Sequence, residues 1–368
     1  MQGHAKIETF DYIGDDPATA PLLKQMRGTD GTPTVCDNVW ISSIGCLGDA
    51  YTDLTEKTGK LTAGFGAPEG KIGPEFTFGI YMEKLLGEPI LLIKTSWGGR
   101  SLHTDFRPSS AGPETFNDFT LSQWKERKLD ADVEGAKINA KAGVFYWHMI
   151  EHVRKVLGDI KRVVPEYDSA QGYELAGFVW FQGFNDLVDS WTYHNQNKPG
   201  GYDLYGQLLA QFIRDVRKDL SAPKLPFVIG VMGIDGLAAD KKPPQMYFRQ
   251  AQATPAELPE FKGNVVAVPT APFWSEELGA IATKKEKVSQ MSYYLNSKHK
   301  DHANADGKMT DVQKREYLKD YEAKVITLAE AATWKRGASN AGYHYLGCAK
   351  TFALMGKAFA EATLQLQR

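Results

Sequence analysis

Four short apolar runs, each followed at once by a polar or glycine-containing turn, constrain the fold of this sequence more than any other feature. Each run is too short for a helix and is rich in β-branched or aromatic residues, so we predict four β-strands. The four segments are EPILLIKTSWGG (88–99), LAGFVWFQG (175–183), PFVIGVMG (226–233) and GNVVAVPTAP (263–272).

Amphipathic helical patterns lie around these strands. Their apolar residues recur every three or four positions, and the first pattern stops at Gly87, a typical helix end. Apolar strands that alternate with helices are typical of a parallel sheet covered on both faces, so we expect a three-layer α/β/α fold. The helical segments are residues 73–87, 144–159, 202–220 and 349–367.

Composition excludes several classes of function. The chain has 368 residues, 42% of them hydrophobic, which is enough for a sizeable core. Its net charge is −2 with both signs interspersed, which argues against nucleic acid or a membrane surface as partner. No run of about 18 apolar residues is present, so we expect no transmembrane helix.

The three cysteines, Cys36, Cys46 and Cys348, are too few for a disulfide framework. A bridge between Cys36 and Cys46 stays open, although buried free thiols are favoured.

Glycine and polar residues directly follow two of the predicted strands. Gly98 and Gly99 follow the first run, and Gln182, Asn185 and Asp186 follow the second. Ligands of such sheets bind at the carboxyl ends of the strands, so together these residues indicate a site. Taken singly, the glycines are equally consistent with a turn, and the second cluster with an Asx-type helix start.

A histidine near the C-terminus is a candidate general base. His344 lies in the loop NAGYHYLG (340–347), just before the last helical segment. A single histidine is more often structural than catalytic, but a side chain that titrates near neutral pH suits proton transfer.

Four blocks of the sequence resemble the sialate O-acetylesterase-like carbohydrate esterases of the SGNH hydrolase superfamily. They are IKTSWGGRSL, FVWFQGFND, KIGPEFTFG and GYHYLGCAKTFALMGKAFAEA, and the similarity extends from the first residue almost to the last. The resemblance implies a single domain over 1–368, with insertions around 101–140 and 275–335. It also implies a flavodoxin-like strand order for the three-layer fold.

The resemblance implies a serine hydrolase that removes acetyl groups from sugars, without a metal or other cofactor. In such chemistry a serine attacks the ester, a histidine transfers its proton, and an oxyanion hole stabilises the developing charge. His344 matches the family's base, Asn185 its oxyanion asparagine, and the Gly98–Gly99 turn the block that donates a backbone N–H. The expected substrate is an acetylated carbohydrate, and the expected substrate contacts are Gln182, Trp97, Arg100, Trp191 and His194.

One departure from the family pattern concerns the third member of the triad. Many members have an aspartate three residues before the histidine, where this chain has Ala341. The nearest polar neighbours are Ser339 and Asn340. Either the site works as a dyad with backbone help, or an acid comes from elsewhere, in which case Asp186 is the first candidate.

The N-terminal segment begins inside a family block. In the family this block reads Gly-Gln-Ser-Asn-Met, ends the first strand and carries the nucleophilic serine, and MQGHAKIETFDY resembles the residues from its methionine onward. We therefore expect the nucleophile and the first strand to precede Met1. That strand is central in the flavodoxin-like order, so the strands at 89–95 and 175–182 should lack their shared neighbour.

Two other motifs have weak metal-binding character. HMIEH (148–152) fits an inverzincin pattern, but nothing in the sequence marks a third ligand. HANADGKMTDVQ (302–313) resembles an EF-hand loop, yet His302 and Gln313 stand where carboxylates are needed. We expect a metal site at neither.

Two classes of function therefore remain open. The first is a carbohydrate acetylesterase, in a form that lacks its nucleophile. The second is a non-catalytic carbohydrate-binding relative that keeps the cleft without the chemistry. The preserved motifs favour the first.

Overall fold

Six β-strands form two separate three-stranded sheets in the computed structural model, which describes residues 1–45, 54–68, 70–300 and 302–367. The strand order is β2-β1-β3 in one sheet and β4-β5-β6 in the other. All pairs are parallel except β1 with β2. The strands are β1 (Val39–Ile44), β2 (Lys57–Lys60), β3 (Ile90–Thr95), β4 (Phe178–Trp180), β5 (Phe227–Val231) and β6 (Val265–Pro269).

Helices surround both sheets, as an α/β fold requires. The α-helices of the described residues are α1 (Asp11–Gly14), α2 (Ala20–Met26), α3 (Glu75–Leu86), α4 (Asp118–Glu126), α5 (Ala131–Asn139), α6 (Val144–Gly158), α7 (Phe184–Val188), α8 (Asp203–Asp219), α9 (Gln245–Glu257), α10 (Glu276–Asn296), α11 (Asp311–Val325), α12 (Leu328–Gly337) and α13 (Ala349–Gln367).

Alternate residues of β3 and of the β4 segment pack against opposite helix layers, so the fold is α/β/α. Leu92 of β3 packs against Gly79 of α3, whereas Leu91 and Ile93 pack against the buried cluster that includes Val156 of α6. Next to β4, Trp180 contacts Phe212 of α8 and Phe181 contacts Phe359 of α13. Helices α3 and α13 pack on each other, and Tyr146 of α6 contacts Phe212 of α8. One layer therefore contains α3 and α13, and the other α6 and α8.

The two sheets share no hydrogen-bonded strand pair in the described part of the chain. Among the described strands, β3 pairs only with β1 and β4 pairs only with β5. This confirms the prediction that the strands at 89–95 and 175–182 lack a shared neighbour.

The sequence prediction located four strands and missed two. All four predicted apolar runs contain a strand, but β1 and β2 were not expected. β1 is entirely buried although it contains Ser42 and Ser43. The charged stretch after residue 310 forms the helices α11 and α12, and the Thr327 side chain caps the start of α12.

Three helices, α10 to α12, cover the region expected to be an insertion at 275–335, and α10 packs against both of the others. No helix in the described residues is long and apolar enough to span a membrane. Cys36 and Cys348 are buried free thiols, and the predicted alternative of a Cys36–Cys46 bridge involves a residue outside the described ranges.

Candidate active site

Segments from five parts of the chain line one small cleft beyond the carboxyl ends of β3, β4 and β5. Its volume is about 120 Å³. The contributing segments are the N-terminal residues, the turn after β3, the start of α7, the residues after β5 and the turn before α13. The lining includes Met1, Gln2, His4, Trp97, Gly98, Gly99, Arg100, Gln182, Asn185 and His344. Most of the predicted site residues therefore come together at the carboxyl ends of the strands.

A tight turn presents His344 to this cleft. The 3₁₀ segment Gly342–Gly347 contains two left-handed residues, Tyr345 (φ 54°) and Leu346 (φ 58°). The Leu346 carbonyl accepts hydrogen bonds from the backbone N–H groups of Ser339 and Asn340, which close the turn. Burial is the main cause that lowers the pKa of His344, and the charge of Lys71 adds to it. The imidazole is therefore neutral at neutral pH, as a general base must be.

Asn340 fixes the tautomer of His344. Its Oδ1 lies 3.0 Å from His344 Nδ1 and 2.8 Å from the backbone nitrogen of Ala341. A backbone N–H can only donate, so the Asn340 atom is the carbonyl oxygen and His344 Nδ1 carries the proton. The other ring nitrogen, Nε2, is then the unprotonated acceptor.

A second histidine, which the sequence analysis missed, stacks on the first. The rings of His4 and His344 have centroids 3.6 Å apart and are inclined by 8°. Burial lowers the pKa of His4 to about 4, with further contributions from His344 and Lys71. Two neutral rings can stack closely because neither carries a charge. The position of His4 in the opening MQGHAK segment was the only signal in the sequence.

The opposite side of the cleft offers hydrogen-bond donors. Gly99 has a left-handed backbone (φ 70°), and a Cβ built on it would lie 3.9 Å from Asn185 Nδ2. Asn185 lies in the first turn of α7, which begins after Gly183, and its amide makes no hydrogen bond to other described residues. This amide and the glycine turn are adjacent donors of the kind an oxyanion hole needs.

Asp186 forms hydrogen bonds with groups other than His344. It is fully buried and accepts hydrogen bonds from the backbone N–H groups of Leu102 and His103, from Gln182 Nε2 and from the Tyr193 hydroxyl. Burial raises the pKa of its carboxyl. These bonds tie the loop after Gly99 to α7. Asp186 therefore contacts the loop after Gly99 and not His344, whose Nδ1 lies beside the neutral amide of Asn340.

His103 continues this buried network. Its Nδ1 lies 3.0 Å from Glu114 Oε1 and its Nε2 lies 3.0 Å from Asp189 Oδ2. Burial alone would lower the pKa of His103, but the hydrogen bonds to Asp189 and Glu114 outweigh it and raise the pKa to about 10. His103 is therefore charged near neutral pH and helps to fix the same loop.

The predicted substrate contacts divide into two groups. Trp97, Arg100 and Gln182 line the cleft, although Trp97 and Arg100 are buried. Trp191 and His194 are not among the lining residues. They pack against α4 instead, where Arg127 lies over the Trp191 ring and His194 stacks on Phe119.

Side chains of the two weak metal motifs form hydrogen bonds with other protein groups. His152 lies 2.9 Å from the Ser42 hydroxyl, which itself donates to Glu56, and burial lowers the pKa of this histidine to about 4. Asn304 of the second motif donates to the Leu295 carbonyl and accepts from the Met309 N–H.

Comparisons with known proteins agree with the resemblance. The sequence model of a family described as carbohydrate esterase, sialic acid-specific acetylesterase, matches residues 52–271, more than half of the chain. This range contains Gly98, Gly99 and Asn185 but not His344. No curated protein matches the chain.

Two solved structures are distantly similar. One is a protein from Arabidopsis thaliana, with 17% identity over 64% of this chain and 70% of that one, and a TM-score of 0.35. The other is a carbohydrate acetylesterase from Xanthomonas citri, with 16% identity over 67% of this chain and 46% of that one, and a TM-score of 0.38.

Proposed function

We propose that this chain, which belongs to the carbohydrate esterase family of sialic acid-specific acetylesterases, provides the base and the oxyanion hole for removing O-acetyl groups from sugars. The observation that carries the proposal is that His344 and Asn185 line one small cleft although they lie far apart in sequence. His344 lies outside the family match, so its role rests on this geometry.

His344 serves as the general base. Its Nε2 takes the proton of the attacking hydroxyl as the oxygen forms a bond to the acetyl carbon, and it returns the proton to the leaving sugar oxygen. Water then repeats the sequence on the acetyl-enzyme and releases acetate. Asn340 holds Nδ1–H throughout and keeps Nε2 available. Because Asn340 is neutral, it orients the ring but gives the imidazolium little charge stabilisation.

Asn185 and the Gly98–Gly99 turn stabilise the oxyanion. When the carbonyl carbon becomes tetrahedral, its oxygen gains negative charge and needs donors already in place. The Asn185 amide has no competing partner among the described residues, and Asp186, the next residue, is fixed by four donors. Preorganised donors of this kind cost no reorganisation during the reaction.

The nucleophile is the component that the cleft does not supply. None of the described lining residues is a serine, threonine or cysteine. Ser101 bonds to Asp105, and Ser42 is buried with His152. We assign the nucleophile to a serine on polypeptide joined to Met1, because Met1 and Gln2 line the same cleft as His344.

The test uses the chain extended at Met1 by an apolar strand of about six residues followed by Gly-Gln-Ser-Asn, which we name the serine-extended chain. We expect it to release acetate from O-acetylated sugars, and we expect His344→Ala to abolish this release. If the serine-extended chain binds acetylated sugars without turnover, the protein is a carbohydrate-binding relative and the proposal is wrong.

A further inference from the structure

The candidate cleft is too small to enclose both an acetyl group and the sugar that carries it. Its volume is about 120 Å³, below the roughly 300–1,000 Å³ of ordinary small-molecule pockets. Among its described lining residues only Gly99 and Tyr343 are exposed, and the others are buried or half-buried. Since glycine has no side chain, the exposed side chain at the rim is that of Tyr343. A sugar joined to an acetyl group in the cleft would therefore lie against this rim.

Tyr343 and Phe184 form an aromatic pair at the rim. Their ring centroids are 5.4 Å apart and the rings are inclined by 30°, which is a stacked contact. Tyr343 immediately precedes His344, the proposed base, and Phe184 immediately precedes Asn185, the proposed oxyanion donor. The pair therefore joins the two sides of the candidate site.

Tyr343 is packed on two sides and still keeps a large accessible surface. Its ring contacts the ring of His344, with 4.4 Å between the centroids, and Phe184 covers another part of it. Nevertheless, 48% of Tyr343 is exposed. A single exposed aromatic side chain is common on protein surfaces, but this ring is fixed directly beside the proposed base. A fixed aromatic ring offers a flat apolar surface of the kind that packs against the C–H face of a sugar ring.

We propose that Tyr343, supported by Phe184, is the platform on which the sugar ring of the substrate stacks while its acetyl group occupies the cleft. The substrate class is an O-acetylated pyranoside whose apolar C–H face rests on Tyr343, which brings the ester to His344. Most of the sugar stays outside the cleft, so further sugar units on the same ring can extend into solvent. This inference rests on the proposed function, because it takes the cleft as the acetyl-binding site.

The first test measures binding to the 368-residue chain, so it needs no nucleophile. The probe is a mono-O-acetylated methyl glucopyranoside, titrated by calorimetry. Tyr343→Ala should weaken binding about two- to ten-fold, the range for loss of one aromatic contact, whereas Tyr343→Phe keeps the ring and should bind like the parent. Tyr293→Ala is the matched control, because Tyr293 of α10 is 66% exposed, contacts a neighbouring aromatic ring and does not line the cleft.

The second test compares two acetyl esters in the serine-extended chain. One is the same acetylated sugar, and the other is ethyl acetate, which carries the acetyl group without a ring. Tyr343→Ala should lower the ratio of kcat/KM for the sugar ester to kcat/KM for ethyl acetate by about two- to ten-fold. Any effect that this variant exerts through His344 is common to both esters and cancels in the ratio.

Three results would overturn the platform. They are no measurable binding of the sugar to the parent chain, equal binding by the parent and Tyr343→Ala, and a loss in Tyr343→Phe as large as in Tyr343→Ala. Binding that depends on Tyr343 but leads to no acetate release would refute the proposed function alone. Acetate release with an unchanged ratio of the two esters would refute the platform alone.

Discussion

His344 Nδ1 lies 3.0 Å from Asn340 Oδ1, and this oxygen also accepts the Ala341 N–H, so a neutral amide sets the tautomer of the proposed base. We expect Asn340→Ala in the serine-extended chain to lower kcat by about 10²–10⁴, the range for misplaced acid–base groups. Initial rates with p-nitrophenyl acetate measure this. An unchanged kcat would show that the amide does not orient His344.

The variant Asn340→Asp places a carboxylate, instead of a neutral amide, beside His344. A carboxylate beside the ring favours the imidazolium and should raise the pKa of His344. The base must be neutral to act, so the acid limb of the kcat/KM profile should move to higher pH. If the limb stays in place, His344 is not the group that titrates in catalysis.

Asn185 should contribute to the transition state and little to stability, because its amide has no hydrogen-bond partner among the described residues. In the serine-extended chain, Asn185→Ala should lower kcat about 10²–10³-fold, as removal of one oxyanion donor does. The thermal midpoint should stay close to that of the parent. A large loss of stability with normal turnover would contradict the assignment.

Asp186, unlike Asn185, should contribute mainly to the stability of the fold. Its carboxylate satisfies four donors in a fully buried site near the charged His103. Asp186→Ala should lower the free energy of unfolding by about 3–5 kcal/mol, because the donors and the imidazolium lose their partner. Urea unfolding of the unextended chain measures this. Wild-type stability would mean that Asp186 does not hold the loop after Gly99.

The sequence predicted the strands whose own residue pattern identifies them. β3 to β6 are continuous apolar runs, and burial on both faces produces that pattern directly. β1 was missed because Ser42 and Ser43 interrupt its apolar pattern. Ser42 is nevertheless buried, since its hydroxyl bonds to Glu56 and His152, more than a dozen residues away in the chain.

Local motifs predicted residues that line the candidate cleft, whereas residues brought there by tertiary contacts were missed. His344, Asn185 and the glycine turn lie in recognisable blocks, and they line one cleft. His4 was missed because it meets His344 only in the tertiary structure, and Asn340 was noted only as a polar neighbour of that histidine. Trp191 appeared suited to sugar binding, but Arg127 covers its ring. A single sequence does not show such partners.

The stacked His4 predicts a pH dependence of stability. Its pKa is about 4 in the folded protein against 6.5 for a free histidine, so the unfolded state binds the extra proton first. Stability should be full above about pH 6.5 and should fall as the pH drops towards 4. His4→Phe keeps a stacked ring but cannot titrate, so its unfolding midpoint should decline less over this range. An identical decline in both proteins would show that His4 does not contribute.

The most direct test of the central claim is the rate of acetate release from an O-acetylated sugar by two chains. One is the serine-extended chain, and the other is identical except that its extension ends in Gly-Gln-Ala-Asn. The claim is that this chain supplies the base and the oxyanion hole, and that polypeptide entering at Met1 supplies the nucleophile. We predict a kcat ratio on the order of 10⁶, the loss that follows removal of the nucleophile in serine hydrolases. Equal rates in the two chains, or full activity in the unextended 368-residue chain, would contradict it.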